Sequence, residues 1–187
     1  MLLLLKIQFL RINFENYIYI ITTMDSQNTE YYMLEALVQA KKAWNIDEVP
    51  IGAIIVKDNK IIARAHNQLI CNTDPSGHAE IIAIREAAKN IGNYRLVGCD
   101  MYVTLEPCLM CLGAIFNSRI ANLSFGAYDL KTGVCESILM LGENNHLNHH
   151  CKIKGGILEE ESKYLLGKFF EAKRQKKPPP KDDGFSK

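Results

Sequence analysis

The chain has 187 residues, 48% of them hydrophobic and 23% charged, and its formal net charge is +1. This length suits one domain with a full core and is short for two, and the composition is that of an ordinary soluble globular protein. A net charge near zero excludes a global basic field for nucleic acid, although a local basic patch is sufficient for RNA. One candidate patch near the C-terminus contains Lys168, Lys173, Arg174, Lys176, Lys177 and Lys181.

The first 23 residues differ from the rest of the chain. Their apolar run at residues 1–5 precedes Lys6 and Arg11, whereas a signal peptide carries its positive residues before the apolar run. The run is also too short and too interrupted to span a bilayer. We interpret residues 1–23 as an extension outside the fold, which an upstream start codon explains better than a targeting function. Residues 24–175 then form the domain, and we expect no membrane association.

Hydrophobic periodicity predicts a helix and a hairpin in the first part of the domain. Thr29 can cap a helix over residues 30–45, where apolar positions recur every three to four residues. Residues 51–56 form a near-continuous apolar run that is typical of a buried strand, and residues 60–65 return as a second strand. A polar loop over residues 72–77 leads into a helix over residues 78–90.

The second part of the domain alternates strands and helices. We predict strands over residues 101–105 and 121–126, a shorter candidate strand over 151–154, and helices over 107–118 and 159–175. Residues 176–187, which contain three consecutive prolines, are expected to form a disordered tail. This order predicts an α/β fold, namely a three-layer α/β/α sandwich with a mixed sheet of about five strands.

Two short motifs carry the chemistry. The first is His78-Ala79-Glu80, and the second is Pro107-Cys108 followed by Cys111. One imidazole and two thiolates are three ligands, so a tetrahedral zinc would keep an open position for an activated water. Glu80 lies two residues from His78 and is well placed to move protons, which indicates hydrolytic chemistry. Both motifs are predicted at helix N-termini, which favour thiolates.

A lone Cys-x-x-Cys also occurs in structural zinc knuckles and redox pairs. A closed zinc site that only supports the fold would need a fourth ligand, either another histidine or one of Cys71, Cys99, Cys135 and Cys151. No second paired motif is visible, so we interpret those four cysteines as small buried residues. Six cysteines without secretory spacing suggest a reducing, cytoplasmic location.

Several stretches closely resemble the bacterial tRNA-specific adenosine deaminase family. They cover about residues 30–175 and include Pro50-Ile51-Gly52-Ala53, His66-Asn67, His78-Ala79-Glu80, Asn93-Tyr94-Arg95-Leu96, residues 103–111, Ser118-Arg119-Ile120, Phe125-Gly126-Ala127, Asp129, Lys131-Thr132-Gly133, Asn148-His149 and Phe169-Phe170. Departures occur at Gly77, Gln68-Leu69, Leu112 and Tyr128, near the expected pocket or its rim. The departures affect fine recognition rather than the chemistry.

The resemblance implies a role for each matching residue. His78, Cys108 and Cys111 would bind one zinc ion per subunit, and Glu80 would be the general acid and base. Asn67 and the backbone of Ala79 would contact the target nucleoside. Three further residues fall where family members approach the anticodon loop: Asp129, Phe170 and Arg174. The implied reaction is hydrolytic deamination of adenosine to inosine at the wobble position of an arginine tRNA, with the anticodon stem-loop as partner and a homodimer as the assembly.

For several residues a purely structural role competes with the functional one. By pattern alone Asn67 is a turn residue, whereas the resemblance favours a substrate contact. His66 is interpreted as a packing or surface residue rather than a second metal ligand. Phe169-Phe170 is core by default, with one ring expected to pack and the other to approach RNA. His146, His149 and His150 are expected on a loop, and the C-terminal lysines either solvate a helix face or contact RNA.

Two other functions compete with this interpretation. A deaminase of free nucleobases, nucleosides or nucleotides would use the same zinc core, but Ser118-Arg119-Ile120, Lys131-Thr132-Gly133 and Phe169-Phe170 argue against it. A non-catalytic subunit or RNA-binding module is expected to lack the carboxylate that Glu80 provides.

Overall fold

The structure of the protein is a computed structural model that describes residues 29–143 and 146–176. The predicted extension at residues 1–23 lies outside the described residues, and so does the predicted tail from residue 177 onward. Across the two described ranges, no helix has both the length and the apolar character needed to cross a membrane.

Strands and helices alternate along most of the described chain, after an initial helix and a hairpin. In chain order the elements are α1 (Thr29–Asn45), β1 (Gly52–Lys57), β2 (Lys60–His66), α2 (Leu69–Asn72), α3 (Ala79–Ile91), β3 (Asp100–Leu105), α4 (Leu109–Asn117), β4 (Asn122–Ala127), a 3₁₀ turn (Leu141–Glu143), β5 (Lys152–Lys154) and α5 (Glu159–Lys176).

The five strands form one mixed sheet in the order β2-β1-β3-β4-β5. Strand β1 pairs antiparallel with both β2 and β3, whereas β3, β4 and β5 are parallel. The hairpin between β1 and β2 turns at Asp58 and Asn59, whose φ angles of 48° and 59° are those that Asp and Asn tolerate best. The predicted mixed five-stranded sheet is therefore confirmed.

Helices cover both faces of the sheet, as the strand periodicity requires. Alternate residues of a strand point to opposite faces. Ile54 and Tyr102 are cross-strand partners and pack in the cluster with α1. Ile55 and Met101 are the next pair and pack in the larger cluster with α3 and α4. Helix α5 contacts α1 and strand β4, so α1 and α5 form one outer layer while α3 and α4 form the other.

Three details differ from the sequence-based expectation. Helix α4 begins at Leu109 rather than Pro107, because Cys108 is an extended N-cap residue with φ −76° and ψ 173°. Helix α3 likewise begins one residue after His78, which is its extended N-cap. The four-residue helix α2 was not predicted, because four residues are too few to show a helical period.

Candidate active site

The three predicted metal ligands meet at the carboxyl end of β3. His78 and Cys108 are the N-cap residues of α3 and α4, and Cys111 lies in the first turn of α4. The Sγ atoms of Cys108 and Cys111 lie 3.8 and 3.5 Å from Nδ1 of His78. All three ligand atoms lie within 4.8 Å of one another, which is close enough to hold one metal ion.

Local sequence explains this convergence. An N-cap residue has extended backbone, so its side chain projects ahead of the helix toward the same region as the first-turn N–H groups. Residues three apart lie on one helix face, which places Cys111 beside Cys108. The positive ends of two helix dipoles point at the cluster and favour thiolate ligands.

The three groups of the cluster are close enough to shift one another's pKa values. A hydrogen bond from the Cys111 thiol lowers the pKa of Cys108 to about 4. A hydrogen bond with the Cys108 sulfur raises the pKa of His78, against the opposing effect of burial. One imidazole nitrogen with two sulfurs is a donor set that zinc prefers. The donor chemistry and the spacing therefore fit the zinc ion that the sequence predicts.

The closed-site alternative lacks its fourth ligand. Within residues 29–143 and 146–176, no other histidine, cysteine or carboxylate joins the three-residue cluster. Cys71 is exposed, and three cysteines are buried elsewhere: Cys99, Cys135 and Cys151. Burial raises the pKa of Cys151 to about 12, as expected for a thiol that serves as a small apolar residue.

Glu80 is a buried carboxyl beside the metal cluster. Its side chain is 4% exposed, and its Oε2 atom has no hydrogen-bond partner among the described residues. Burial raises the pKa of Glu80, and the cluster residues His78, Cys108 and Cys111 also act on it. A buried acceptor normally has a partner, so this oxygen is available to a ligand or a water at the cluster.

A cavity of about 290 Å³ opens onto the cluster. This volume is at the small end of the range for ligand sites, so it suits one nucleoside-sized group rather than a folded RNA loop. Apolar residues from three segments line part of it: Val49, Ile51, Leu69, Ile70 and Leu105. The polar lining residues are Glu48, Asn67, His78, Glu80, Glu106, Asp129 and Thr132, together with Cys108.

Asn67 and Ala79 are joined to each other. Asn67 is 3% exposed and lines the cavity, and its Oδ1 accepts a hydrogen bond of 2.9 Å from the backbone N–H of Ala79. Ala79 itself is fully buried and is not a lining residue. The resemblance implies that the backbone of Ala79 helps to bind the base, and in this structure the N–H of that backbone anchors the Asn67 side chain.

The three residues predicted to approach RNA occupy two places. Asp129 lines the cavity, and its carboxylate accepts hydrogen bonds from the N–H groups of Lys131 and Thr132. Phe170 and Arg174 lie on α5 and do not line the cavity. Phe169 is buried against Trp44, whereas Phe170 is 45% exposed, so one ring of the pair packs as expected.

The remaining histidines behave as packing or loop residues. His66 is half-buried, and burial followed by the nearby Lys42 charge lowers its pKa. The Nε2 atom of His149 lies 2.7 Å from the carbonyl oxygen of Ile120, which fixes the loop before β5. His146 and His150 belong to no metal cluster in the described part of the chain.

Sequence reasoning missed two carboxylates that shape the cavity. Glu48 is 1% exposed, and its Oε1 accepts hydrogen bonds from the N–H groups of Ile70 and Cys71, which holds α2 at the rim.

Glu106 is 2% exposed and holds the segment after β4. Burial raises the pKa of Glu106, but hydrogen bonds from Glu136, Ser137 and Asp129 outweigh this and lower it. The sequence offered a signal only for Glu106, which is an acidic residue directly after a buried strand.

Comparison with known proteins agrees with the geometry. The family described as "Cytidine and deoxycytidylate deaminase zinc-binding region" matches residues 26–127. The tRNA-specific adenosine deaminase of Bacillus subtilis (strain 168) is 45% identical over 148 residues, which are 79% of this chain and 92% of that protein.

Two solved structures are also similar. One comes from a study of A-to-I editing by tRNA:A34 deaminases at the wobble position of transfer RNA. It has a TM-score of 0.70 and 43% identity, over 73% of this chain and 99% of that one. A guanine deaminase from Bacillus subtilis has a TM-score of 0.52 and 41% identity, over 54% of this chain and 65% of that one. The chain belongs to the cytidine and deoxycytidylate deaminase family and, within it, to the tRNA-specific adenosine deaminases.

Proposed function

We propose that this protein hydrolyses adenosine to inosine and ammonia at the wobble position of a tRNA, and that an arginine tRNA is its substrate. The observation that carries the proposal is that a cluster of three candidate ligands and a buried carboxyl oxygen adjoin one small cavity. A relative of 45% identity that is named a tRNA-specific adenosine deaminase supports the choice of substrate.

Zinc fits the cluster formed by His78, Cys108 and Cys111. When bound there, it would supply Lewis-acid chemistry that lowers the pKa of water and makes it a nucleophile near neutral pH. The three protein ligands leave one position for that water, which is the requirement for a catalytic rather than a structural zinc.

Glu80 performs the proton transfers in this proposal. Its buried Oε2 takes a proton from the attacking water and delivers it to N1 of the purine ring, which makes the adjacent carbon more electrophilic. The same carboxylate then carries the second proton to the departing amino group. Water and adenosine thus yield inosine and ammonia, and Glu80 returns to its starting state.

The cavity walls position the base. Asn67 is fixed by the Ala79 N–H, so its amide is held in one orientation for contact with the purine. The Nδ2 group of Asn67 can donate a hydrogen bond to a ring nitrogen of the purine. Asp129 at the rim, with Phe170 and Arg174 on α5, would contact the nucleotides that flank the target.

We further propose a homodimer in the cytoplasm. Exposed apolar side chains gather on α4 and on the segment after β4, and this segment is tied to α4 by a bridge between Cys108 and Gly133. The exposed residues are Leu109, Met110, Leu130, Ile138, Leu139 and Met140. Exposed apolar side chains on two linked segments are a feature of interfaces. Free cysteines support a reducing compartment.

The test is product formation by the purified, zinc-loaded chain. An arginine tRNA anticodon stem-loop is incubated beside free adenosine, cytidine and guanine, and ammonia and inosine are measured. We expect inosine from the stem-loop and no ammonia from the free compounds. Ammonia from guanine alone would keep the hydrolytic chemistry and replace the tRNA by a free base, in line with the structural similarity to a guanine deaminase.

A further inference from the structure

A second cavity, of about 550 Å³, lies at the end of the sheet opposite to the catalytic cluster. Its walls come from the three segments that enter the parallel strands. Arg95 precedes β3, Arg119 precedes β4, and Lys152 begins β5. The metal cluster instead lies beyond the carboxyl end of β3. Because β3 has six residues, the two sites are separated by roughly 20 Å along the strand.

Three of the eight residues that line this cavity are cationic, and three others are small or apolar: Val97, Gly98 and Ala121. Arg95, Arg119 and Lys152 line it together with His149 and His150, and no carboxylate is a lining residue. Within the described part of the chain, no ion pair involves these two arginines or this lysine, whereas basic residues elsewhere on the surface do form ion pairs. The chain carries a formal net charge of only +1, so this group of cations without an ion-pair partner is a local feature, and Asp100 at the start of β3 is instead hydrogen-bonded to Asn122.

The cavity is also held in shape. Arg119 donates a hydrogen bond of 2.8 Å from Nη1 to the carbonyl of Asn148, and its backbone has a φ of 63°, which is uncommon for a bulky residue. Lys152 donates its backbone N–H to the carbonyl of Ala121. The Arg95 guanidinium lies 5.2 Å from the ring centroid of Tyr94. The contacts of Arg119 and Arg95 hold their guanidinium groups without neutralising the charges, whereas the Lys152 contact fixes only its backbone.

We propose that this cavity binds phosphate groups. The planar guanidinium group of arginine can donate two parallel hydrogen bonds to phosphate oxygens. Positive side chains that line one cavity without a carboxylate repel one another, and a bound anion would reduce that repulsion. The inference rests on the proposed function for its favoured source of phosphate, which is the tRNA backbone outside the anticodon loop. Free phosphate-bearing compounds share the same chemistry, and the experiment separates the two sources.

The experiment compares three full-length, zinc-loaded proteins: the wild type, Arg95→Gln/Lys152→Gln, and the charge-matched control Arg64→Gln/Lys154→Gln. All four substituted side chains are exposed, and the control pair lies outside the cavity. Binding of full-length tRNA is measured over a range of salt concentrations. We expect the slope of log K against log salt to become shallower by about 1 to 2 in the cavity variant, and by less than about 0.5 in the control.

Inorganic pyrophosphate is the probe for the second source. Binding of pyrophosphate to the wild type, and its loss in the cavity variant, would show that free phosphates also occupy the site. Equal salt slopes and equal pyrophosphate binding in the cavity variant and the control would overturn the proposal. Deamination of the short anticodon stem-loop is measured in parallel and is expected to be unchanged in all three proteins. If the wild type fails in that assay, the proposed function is wrong, while the salt slopes still decide whether the cavity binds phosphate.

Discussion

At the scale of single residues, Glu80 combines two features that stability alone does not favour. It is buried, and one of its carboxyl oxygens has no partner among the described residues. A buried acceptor without a hydrogen bond costs free energy of folding, on the order of 1–3 kcal/mol. An unsatisfied buried group of this kind is typical of a catalytic residue. The position of Glu80 beside the candidate metal ligands agrees with that role.

Replacement of Glu80 by glutamine should separate catalysis from metal binding. We expect kcat on the stem-loop to fall about 10²- to 10⁴-fold, because proton transfer by a positioned side chain contributes that much. The zinc content, measured by elemental analysis, should stay at one per chain. Glu86→Gln is the matched control, since Glu86 lies on the same helix and is exposed. Stoichiometric loss of zinc from the Glu80 variant would make Glu80 a ligand and refute the assignment.

Glu106 acts on the cavity through the segment after β4. Its carboxylate accepts hydrogen bonds from the N–H groups of Asp129, Glu136 and Ser137, and from the Ser137 hydroxyl. Gly133 passes so close that an added Cβ would lie 2.4 Å from Oε2 of Glu106. This packing sets the position of Asp129 at the rim of the cavity.

Glu106→Ala should therefore loosen this rim. We expect the free energy of unfolding to fall by about 2–3 kcal/mol, because several buried donors lose their acceptor, and Glu106→Gln should lose less because it keeps one oxygen. The KM for the stem-loop should rise more in the alanine variant than in the glutamine variant. Urea unfolding and steady-state kinetics measure the two effects. Equal stability of Glu106→Ala and the wild type would show that the hydrogen bonds contribute nothing net.

At the scale of elements, the contact between β1 and α1 depends on one glycine. A Cβ added at Gly52 would lie 2.1 Å from the carbonyl oxygen of Ala36 and 2.3 Å from the nitrogen of Ala40. Both are backbone atoms of α1, so they cannot move aside as a side-chain end can. The Gly52 N–H also donates to Oγ1 of Thr104, which ties β1 to β3 near the catalytic end.

Gly52→Ala should destabilise the fold by about 1–3 kcal/mol or more, because overpacking forces the helix away from the sheet. Gly167→Ala is the control, since Gly167 lies within α5 and a Cβ added there would meet open space. That substitution should stabilise the protein by up to about 1 kcal/mol through helix propensity. Urea midpoints measure both. A Gly52→Ala midpoint equal to that of the wild type would mean that α1 shifts at no cost.

Prediction from the sequence succeeded where one local pattern determines the structure. Strong apolar runs such as residues 51–56 identified the strands, and two short motifs identified three candidate ligands whose ligand atoms the fold brings within 4.8 Å. It failed where the partner is distant in sequence. The acceptors that fix α2 and the 129–137 segment are Glu48 and Glu106, more than 20 residues away in each case. The start of α4 was predicted too early, because Cys108 is extended and forms a bridge with Gly133, a contact that is distant in sequence.

At the scale of the whole molecule, the two cavities lie at opposite ends of the parallel strands. The catalytic cavity lies at the carboxyl end of β3, where ligand sites in open α/β sheets are usually found. The cationic cavity lies at the other end. A substrate as large as a tRNA can contact surfaces far from a cavity of about 290 Å³, which has room for only one nucleoside-sized group.

The exposed apolar residues on the α4 side of the molecule predict its assembly. Leu139 is 52% exposed and lies between two other exposed apolar residues, Ile138 and Met140. We expect the wild type to sediment as a dimer, and Leu139→Glu to shift it toward the monomer, because a charge in an apolar interface is desolvated without a partner. Tyr164→Glu is the matched control, since Tyr164 is 40% exposed on α5, in the opposite helical layer.

The deamination activity of the monomeric variant shows whether the dimer is needed for catalysis. If residues of both subunits complete the substrate surface, Leu139→Glu should lose deamination of the stem-loop in step with its loss of dimer, and raising the protein concentration should restore both. Tyr164→Glu should remain dimeric and fold normally. A monomeric wild type at micromolar concentration, or a fully active monomeric variant, would show that each chain works alone and that the apolar residues near Leu139 serve another contact.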